Sequence, residues 1–120
     1  MLLITIAKAD INENTMLDAI AYAERSHGKI GKHGEFSDWQ IKPSTWYQYS
    51  NINIPISTYS QQRKVASVIL RDYERILVHR HIPVTPYTLA LAWNAGPYAT
   101  SYTTFNLLYA HRAVHYYTIP

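Results

Sequence analysis

The sequence predicts one mainly α-helical domain of the α+β class, with a small β-ribbon following the first helix. The 120 residues suffice for one hydrophobic core and leave no room for a second. Hydrophobic residues make up 48% of the chain and charged residues 16%, a composition typical of a folded domain. Apolar residues recur at helical spacing in several segments, each bounded by residues that cap or stop a helix.

The first helix is predicted over residues 14–28. Thr15 is the expected N-cap, and Asp18 three residues later completes a pair resembling a capping box. Gly28 is the expected residue just beyond the C-terminus, because glycine readily adopts the left-handed conformation that ends many helices.

The apolar face of this helix contains one residue that is unusual for a core. Leu17, Ile20 and Ala21 form an i, i+3, i+4 stripe, and the next position of that stripe is Glu24. We therefore expect a carboxylate at the edge of the buried face. Such a carboxylate has an ordinary explanation, a salt bridge or the capping of a neighbouring loop, and a chemical one, an acid–base group.

The segment after the first helix is predicted to hold the β-ribbon. Residues 36–41 suit a short extended or irregular ribbon better than a helix, because glycines punctuate the stretch before them. Pro43 can open a short helix through residues 44–49. Residues 51–58 are expected to form a loop, broken at Pro55.

Three further helices complete the predicted domain. A long helix is expected over residues 60–79, another over residues 87–95 between the cap Thr85 and the stop Gly96, and a last one over residues 104–117. The predicted core face of the long helix comprises Val65, Val68, Ile69, Ile76 and Leu77, with Asp72 or Tyr73 at the missing step. The predicted apolar side of the last helix comprises Phe105, Leu108, Tyr109 and Tyr116.

Composition excludes several classes of function. The chain has no cysteine, which rules out disulfides, thiolate zinc sites and thiol nucleophiles. No apolar run approaches the ~20 residues of a membrane-spanning helix, and the run over residues 2–7 is too short for a signal peptide and lacks a preceding cation. The formal charge of +3 suits an anionic polymer without naming one. Eleven Tyr and three Trp suit platforms for sugars or bases, or ordinary core packing.

No metal, cofactor or nucleic-acid partner is expected. The pairs His79 with His81 and His111 with His115 each lack a third ligand and the Glu of a zinc hydrolase motif. The four glycines are scattered, so they form no phosphate-binding loop. The positive side chains at helical spacing are expected to form a mostly solvated face, or to meet a phosphate-bearing polymer: Arg63, Lys64, Arg71, Arg75, Arg80 and Arg112.

A desolvated carboxyl at Glu24 has the property that cleavage of a glycosidic bond requires. Burial raises the pKa of a carboxyl, so that the group stays protonated near neutral pH. The leaving oxygen must be protonated as the C–O bond breaks, because an alkoxide is a poor leaving group.

Four segments, in this order, resemble parts of one known family. They are AYAERS at residues 21–26, GEFSDWQIKPSTW at residues 34–46, AWNAG at residues 92–96 and LYAHRAVHYY at residues 108–117. They are similar to the helix ending in Glu-Ser, the Gly-x-x-Gln-Ile-x-Pro-x-Thr segment, the Ala-Tyr-Asn-Ala-Gly segment and the closing Tyr-Val-x-x-Val helix of the soluble lytic transglycosylases and goose-type lysozymes. The resemblance covers roughly residues 15–117. It implies that residues 1–120 form a single lysozyme-like transglycosylase domain, with the β-ribbon beside an active-site cleft.

The resemblance also implies roles for individual residues. Glu24 would be the single general acid and later the general base. Gln40 would line the cleft beside the scissile bond, Asn94 would lie on its floor, and Tyr109 would bring its hydroxyl near the Glu24 carboxyl. The implied substrate contacts are Ser37, Gln40, Ile41, Trp93, Asn94 and Tyr109.

Three positions depart from the family pattern. Trp93 replaces the usual Tyr and loses its hydroxyl while keeping a ring that can stack. Arg25 separates Glu24 from Ser26, and Trp39 stands where Leu-Met or Phe is commoner.

The implied reaction cuts the β-1,4 bond between N-acetylmuramic acid and N-acetylglucosamine in peptidoglycan. A lytic transglycosylase needs one carboxyl and leaves 1,6-anhydro ends, whereas a hydrolytic muramidase needs a second carboxylate. Glu35 and Asp38 are the candidates for that second group, although Glu35 can instead cap a turn and Asp38 can be a solvated ribbon residue. A glycan-binding or structural module without turnover is a further alternative.

The expected partners and location follow from the same resemblance. The partner would be the glycan strands of peptidoglycan, bound by a monomer that acts at the bacterial cell wall, in the periplasm or outside the cell. No export signal is visible in the sequence.

Overall fold

The computed structural model describes residues 10–119 and is mainly helical. Its α-helices are α1 (Glu13–Glu24), α2 (Pro43–Tyr49), α3 (Tyr59–His79), α4 (Pro86–Ala95) and α5 (Thr104–Thr118). A single 3₁₀ turn, Ile54–Ile56, interrupts the predicted loop between α2 and α3. The apolar run at residues 2–7 lies outside the described residues. The prediction of a mainly α-helical fold is confirmed.

Helix α1 begins and ends earlier than the sequence pattern predicts. Asn12, not Thr15, is the N-cap, and its side-chain oxygen accepts the backbone N–H of Thr15 at 3.0 Å. The helix ends because Arg25 adopts the left-handed conformation (φ 56°), so Gly28 lies beyond the C-terminal cap. Asn and Thr are both good N-caps, and the local pattern does not choose between neighbouring candidates.

The N-termini of α3, α4 and α5 are closed by reciprocal capping boxes. Thr58, Thr85 and Thr103 each accept a backbone N–H from the residue three positions on, whose side chain in turn accepts the N–H of the cap. Pro86 follows its cap at the first helical position, where its missing N–H costs nothing. The predicted cap at Thr85 and the predicted stop at Gly96 are both confirmed.

The predicted β-ribbon is reduced to one antiparallel bridge between Phe36 and Ile41, and residues 10–119 contain no strand. The two residues exchange N–H···O bonds of 3.1 and 2.9 Å. Positive φ angles at Ser37 (69°) and Gln40 (48°) turn the chain tightly between them. The bridge therefore closes a small hairpin turn but does not extend into a ladder.

Two buried tryptophans attach this turn and α2 to the rest of the molecule. The indole N–H of Trp39 donates to the carbonyl of Leu17 on α1 at 2.9 Å, and that of Trp46 donates to the carbonyl of Ile52 at 2.6 Å. The ring of Trp46 packs edge-on against Phe36, with centroids 5.0 Å apart. Each indole thus combines burial of a large ring with a satisfied polar atom.

The predicted core face of α3 is confirmed at Val65, Ile69, Ile76 and Leu77 but is wrong at Val68. On α5, Tyr109 is the one residue of the predicted apolar side that is fully buried. Phe105 and Leu108 on α5 are 65% and 60% exposed, and Val68 on α3 is 44% exposed. On α5 the buried residues are Tyr109, Ala110 and Ala113. The two alanines are fully buried and offer a flat surface to the neighbouring helices, so the large side chains at the start of α5 turn outward.

The positive side chains lie mostly at the surface, as their spacing predicts, and Lys64, Arg71 and Arg75 are exposed. The arginines nevertheless make specific contacts there. Three of them pair with carboxylates, Arg63 with Asp18 at 2.9 Å, Arg71 with Glu13 at 3.0 Å and Arg75 with Asp72 at 2.8 Å. Arg80 and Arg112 instead donate to backbone carbonyls, those of Pro97 and Ala99 and that of Ala23 respectively.

A matched pair of leucine truncations tests this assignment of the core. Leu89 is fully buried on α4 and Leu108 is 60% exposed. Leu89→Ala is expected to lower the free energy of unfolding by about 2–5 kcal/mol through the cavity it leaves, and Leu108→Ala by less than about 0.5 kcal/mol. Urea denaturation monitored by circular dichroism measures both. Equal losses in the two variants would contradict the packing of α5 described here.

Candidate functional site

A cleft of about 360 Å³ lies where the C-terminus of α1, the hairpin turn, α3 and the C-terminus of α4 meet. We call it the Glu24 cleft. Its lining comprises Glu24, Glu35, Gln40, Ile41, Lys42, Thr45, Ile69, Tyr73, Trp93, Asn94, Ala95 and Gly96. The cleft thus combines carboxyl and amide groups with two aromatic rings, as clefts that bind polar ligands commonly do.

Glu24 is the last residue of α1 and is half-buried in this cleft. Burial raises the pKa of its carboxyl from 4.5 to about 7, because the ionised form is poorly solvated there. The Tyr109 hydroxyl and the positive charge of Arg112 oppose this rise, and the like charge of Glu35 adds to it. A carboxyl with such a pKa can both donate and accept a proton near neutral pH.

Two residues of α5, Tyr109 and Arg112, lower the pKa of the Glu24 carboxyl. The Tyr109 hydroxyl is buried without a hydrogen bond of regular geometry, but it lies close enough to the Glu24 carboxyl to lower the pKa of that carboxyl. The Arg112 guanidinium donates two bonds, of 3.0 and 2.8 Å, to the carbonyl of Ala23 and lies over the Tyr109 ring. A cation therefore caps the C-terminal turn of α1, where the helix dipole favours positive charge.

Gln40 reaches the cleft from the hairpin turn. Its amide nitrogen donates to the carbonyls of Lys29 and Ser37 at 2.8 and 2.9 Å, which fixes the orientation of the side chain. Gly31 passes directly beneath it, and a Cβ there would lie 2.7 Å from an oxygen of Gln40 and equally close to an oxygen of Glu35. A larger residue at Gly31 would displace both side chains from the cleft wall.

The two candidates for a second carboxylate separate in the structure. Glu35 lines the Glu24 cleft, and one of its oxygens accepts the backbone N–H of His33 at 2.7 Å. Its carboxylate therefore caps the turn while facing the cleft. Asp38 does not line this cleft and lines a second cleft instead, so of the two candidates only Glu35 shares a cleft with Glu24.

Residues at the C-terminus of α4 form the floor of the cleft. The indole N–H of Trp93 donates to the carbonyl of Trp39 at 3.0 Å, and its ring packs at a tilt against Tyr73, with centroids 5.8 Å apart. Asn94 accepts a bond of 2.6 Å from the side-chain amide of Asn106 on α5. Both residues lie in the cleft lining with Ile41.

Two of the implied substrate contacts do not line the cleft. Ser37 is 5% exposed, and its hydroxyl accepts the backbone N–H of Trp39 at 3.2 Å, so it stabilises the hairpin turn. Tyr109 is 2% exposed and can reach substrate only through its effect on Glu24. Ser26, which Arg25 separates from Glu24, donates to the Ser37 carbonyl at 3.3 Å and attaches the end of α1 to the same turn.

Several residues of the lining were not predicted from the sequence. Tyr73 and Ile69 are four residues apart on α3 and face the cleft together, whereas Asp72 bonds to Tyr49 and Arg75. The spacing of four residues between Ile69 and Tyr73 can be read from the sequence. Whether residue 72 or residue 73 continues that face depends on the neighbouring elements. Lys42 and Thr45 also line the cleft, from the N-cap and first turn of α2.

Two further observations concern cofactors and membranes. Within residues 10–119 no three or more His, Asp or Glu side chains gather in a group that could hold a metal ion. In the same range no helix has the length and apolar character needed to cross a membrane.

Comparisons with protein-family models, with curated proteins and with solved structures found no match for this chain.

The buried carboxyl predicts a pH-dependent difference in stability between the wild type and Glu24→Gln. Because the pKa of Glu24 is higher in the folded protein (about 7) than in the unfolded chain (4.5), folding favours the protonated form. The contribution of this group to stability is complete below the unfolded value and is lost as pH rises through about 7.

Glu24→Gln removes this titration. Between about pH 4 and pH 8 the variant should therefore gain about 3 kcal/mol in the free energy of unfolding relative to the wild type. Denaturant unfolding at both pH values measures the gain, and the exposed carboxylate variant Asp10→Asn serves as the control. A difference between wild type and Glu24→Gln that does not change with pH would show that the carboxyl is well solvated.

Proposed function

We propose that this protein is a peptidoglycan-cleaving glycosidase that acts as a lytic transglycosylase. The observation that carries the proposal is the half-buried Glu24 carboxyl, with its pKa raised to about 7, in a cleft lined by Gln40 and Asn94. The four sequence segments that resemble the transglycosylase and goose-type lysozyme family supply Glu24, Gln40, Asn94 and Tyr109, and these residues lie in or beside that cleft.

In the proposed mechanism the protonated Glu24 donates its proton to the glycosidic oxygen as the bond to C1 of N-acetylmuramic acid breaks. The leaving sugar departs with a new hydroxyl group, and Glu24 becomes a carboxylate. That carboxylate then accepts the proton of the C6 hydroxyl of the same muramic acid residue, whose oxygen bonds to C1. Glu24 is thereby reprotonated, and the product ends in a 1,6-anhydro ring.

The remaining residues of the cleft position the glycan. The amides of Gln40 and Asn94 are oriented by hydrogen bonds within the protein, so they are ready to bond sugar hydroxyls and N-acetyl groups. The rings of Trp93 and Tyr73 provide surfaces on which a sugar ring can stack. Tyr109 and Arg112 are positioning residues, since they act through the protonation state and placement of Glu24.

The finer description of the fold belongs to the same proposal. We infer a lysozyme-like arrangement in which the hairpin turn of Phe36 and Ile41 stands where a β-ribbon flanks the cleft in that superfamily. The partner would be the glycan strands of peptidoglycan, at the bacterial cell wall, with the protein acting as a monomer and without a cofactor.

Removal of the acid tests the proposal directly. Glu24→Gln is expected to lower the rate of muropeptide release from purified sacculi at least about a thousandfold, because an amide cannot protonate the leaving oxygen. Circular dichroism should show an unchanged fold. Asp10→Asn is the matched control and should retain wild-type activity. Wild-type protein that binds sacculi but releases no muropeptide would instead identify a glycan-binding module without turnover.

A hydrolytic muramidase is the second candidate, favoured by the position of Glu35 in the same cleft as Glu24. Mass spectrometry of the released muropeptides separates the two reactions. We expect products lighter by one water, with 1,6-anhydro ends, and we expect Glu35→Gln to keep a substantial part of the activity. Reducing ends, together with loss of activity in Glu35→Gln, would assign the hydrolase instead.

The pH profile of cleavage should follow the titration of Glu24. Because the acid form is required, activity should fall as pH rises through about 7. Tyr109→Phe removes a hydroxyl that lowers the pKa of Glu24, so the alkaline limb of the profile should move to higher pH. Initial rates of sacculus clearing across the pH range measure this shift. An alkaline limb that stays in place, with only the maximal rate reduced, would limit Tyr109 to a packing role.

A further inference from the structure

A second cleft, of about 350 Å³, lies on another face of α1 and shares no lining residue with the Glu24 cleft. We call it the Tyr22 cleft. Its lining comprises Asp18, Ala21, Tyr22, Arg25, His27, Asp38, Tyr59 and Tyr116. These residues come from α1, the loop after it, the hairpin turn, the start of α3 and the end of α5. The function proposed for Glu24 uses none of them.

Three tyrosines form the aromatic part of the Tyr22 cleft. Tyr22 and Tyr59 are 65% and 57% exposed, so their rings are presented to ligands rather than used in the core. Tyr116 packs against Tyr22, with ring centroids 5.4 Å apart and planes inclined by 35°. Tyr59 is supported in the same way by the buried Trp39. Supported and exposed rings with polar tips are suited to stacking on the apolar face of a sugar ring.

The polar side chains of the cleft have unused hydrogen-bonding capacity. Among residues 10–119 the side chains of Arg25, His27 and Asp38 make no hydrogen bond and no ion pair, whereas Asp18 is paired with Arg63 at 2.9 Å. With the Asp18–Arg63 pair counted as neutral, Arg25 and Asp38 contribute one positive and one negative charge, so the charges of the cleft balance. This balance favours a neutral ligand recognised by hydrogen bonds over a polyanion or a polycation.

Arg25 occupies its position against the preference of the backbone. As the C-cap of α1 it has a left-handed conformation, with φ 56°, in which glycine is the residue of lowest cost. Glycine would end the helix at lower cost, but the chain has Arg25 there, and its long, charged side chain lines the Tyr22 cleft.

We propose that the Tyr22 cleft is a carbohydrate-binding site, in which a neutral sugar ring stacks on Tyr22 and Tyr59. Arg25 would donate to sugar hydroxyls and Asp38 would accept from them. The site is separate from the Glu24 cleft, and it would hold a glycan on the surface of the domain whether or not Glu24 cleaves it. The proposal therefore does not depend on catalysis.

The experiment is a titration of the isotope-labelled Glu24→Gln variant, which cannot turn over a substrate, with the β-1,4-linked trimer of N-acetylglucosamine. Amide chemical shifts in a nitrogen–proton spectrum report the two clefts separately. We expect the amides of Tyr22, Arg25 and Asp38 to shift in a saturable way. If these amides shift and those of Gln40 and Asn94 do not, the result supports this site and counts against the function proposed for the Glu24 cleft.

Two substitutions in the same background locate the binding. Arg25→Gly removes the side chain and relieves the left-handed backbone, so it should fold at least as stably as its parent while binding the trimer about tenfold more weakly. Tyr22→Ala should weaken binding by a similar factor. Tyr98→Ala, a 68% exposed tyrosine outside both clefts, is the control and should bind as its parent does.

The proposal is overturned if the amides of the Tyr22 cleft do not shift up to millimolar trimer. It is also overturned if Arg25→Gly and Tyr22→Ala, both folded by circular dichroism, bind the trimer with unchanged affinity at that cleft.

Discussion

The burial of one carboxyl group at the end of α1 is the constraint on which the proposed chemistry of this protein depends. Glu24 lies where the helix meets the cleft, and burial raises its pKa to about 7. The surroundings keep that rise moderate, because Arg112 and the Tyr109 hydroxyl both favour the ionised form. A more isolated carboxyl would stay protonated and could not return to the carboxylate, whereas a more solvated one would already have lost its proton.

The hairpin turn after α1 connects this carboxyl to the rest of the cleft. The indole of Trp39 attaches the turn to α1 through its hydrogen bond to the Leu17 carbonyl. Ser26, just after the C-cap of α1, donates a second hydrogen bond to the Ser37 carbonyl in the turn. Gln40 faces the Glu24 cleft from this turn, while Asp38 faces the Tyr22 cleft. One short segment, held by a few hydrogen bonds, therefore forms a wall of both clefts, and a change in its backbone would affect both.

Helix α5 packs through two alanines, a buried tyrosine and a cation rather than through Phe105 and Leu108, which are exposed. Ala110 and Ala113 are fully buried, and this packing brings Tyr109 and Arg112 to the C-terminus of α1. The sequence pattern placed Phe105 and Leu108 in the core because a periodic pattern ranks residues by hydrophobicity. Contact between helices also depends on how closely the backbones approach, which alanine permits and a large side chain prevents, so this preference could not be seen in α5 alone.

Local interactions determined much of the architecture, and for that reason the sequence by itself predicted it. The bounds of α3 and α4 follow from caps, prolines and glycines that act within a few residues, and the position of Glu24 on the apolar stripe of α1 follows from helical periodicity. The tertiary structure alone decided which face of α5 is buried, which of Glu35 and Asp38 meets Glu24, and that Arg112 caps α1. Those outcomes depend on contacts between residues far apart in the chain, and the pKa of Glu24 depends on them as well, because solvation is a property of the assembled surroundings.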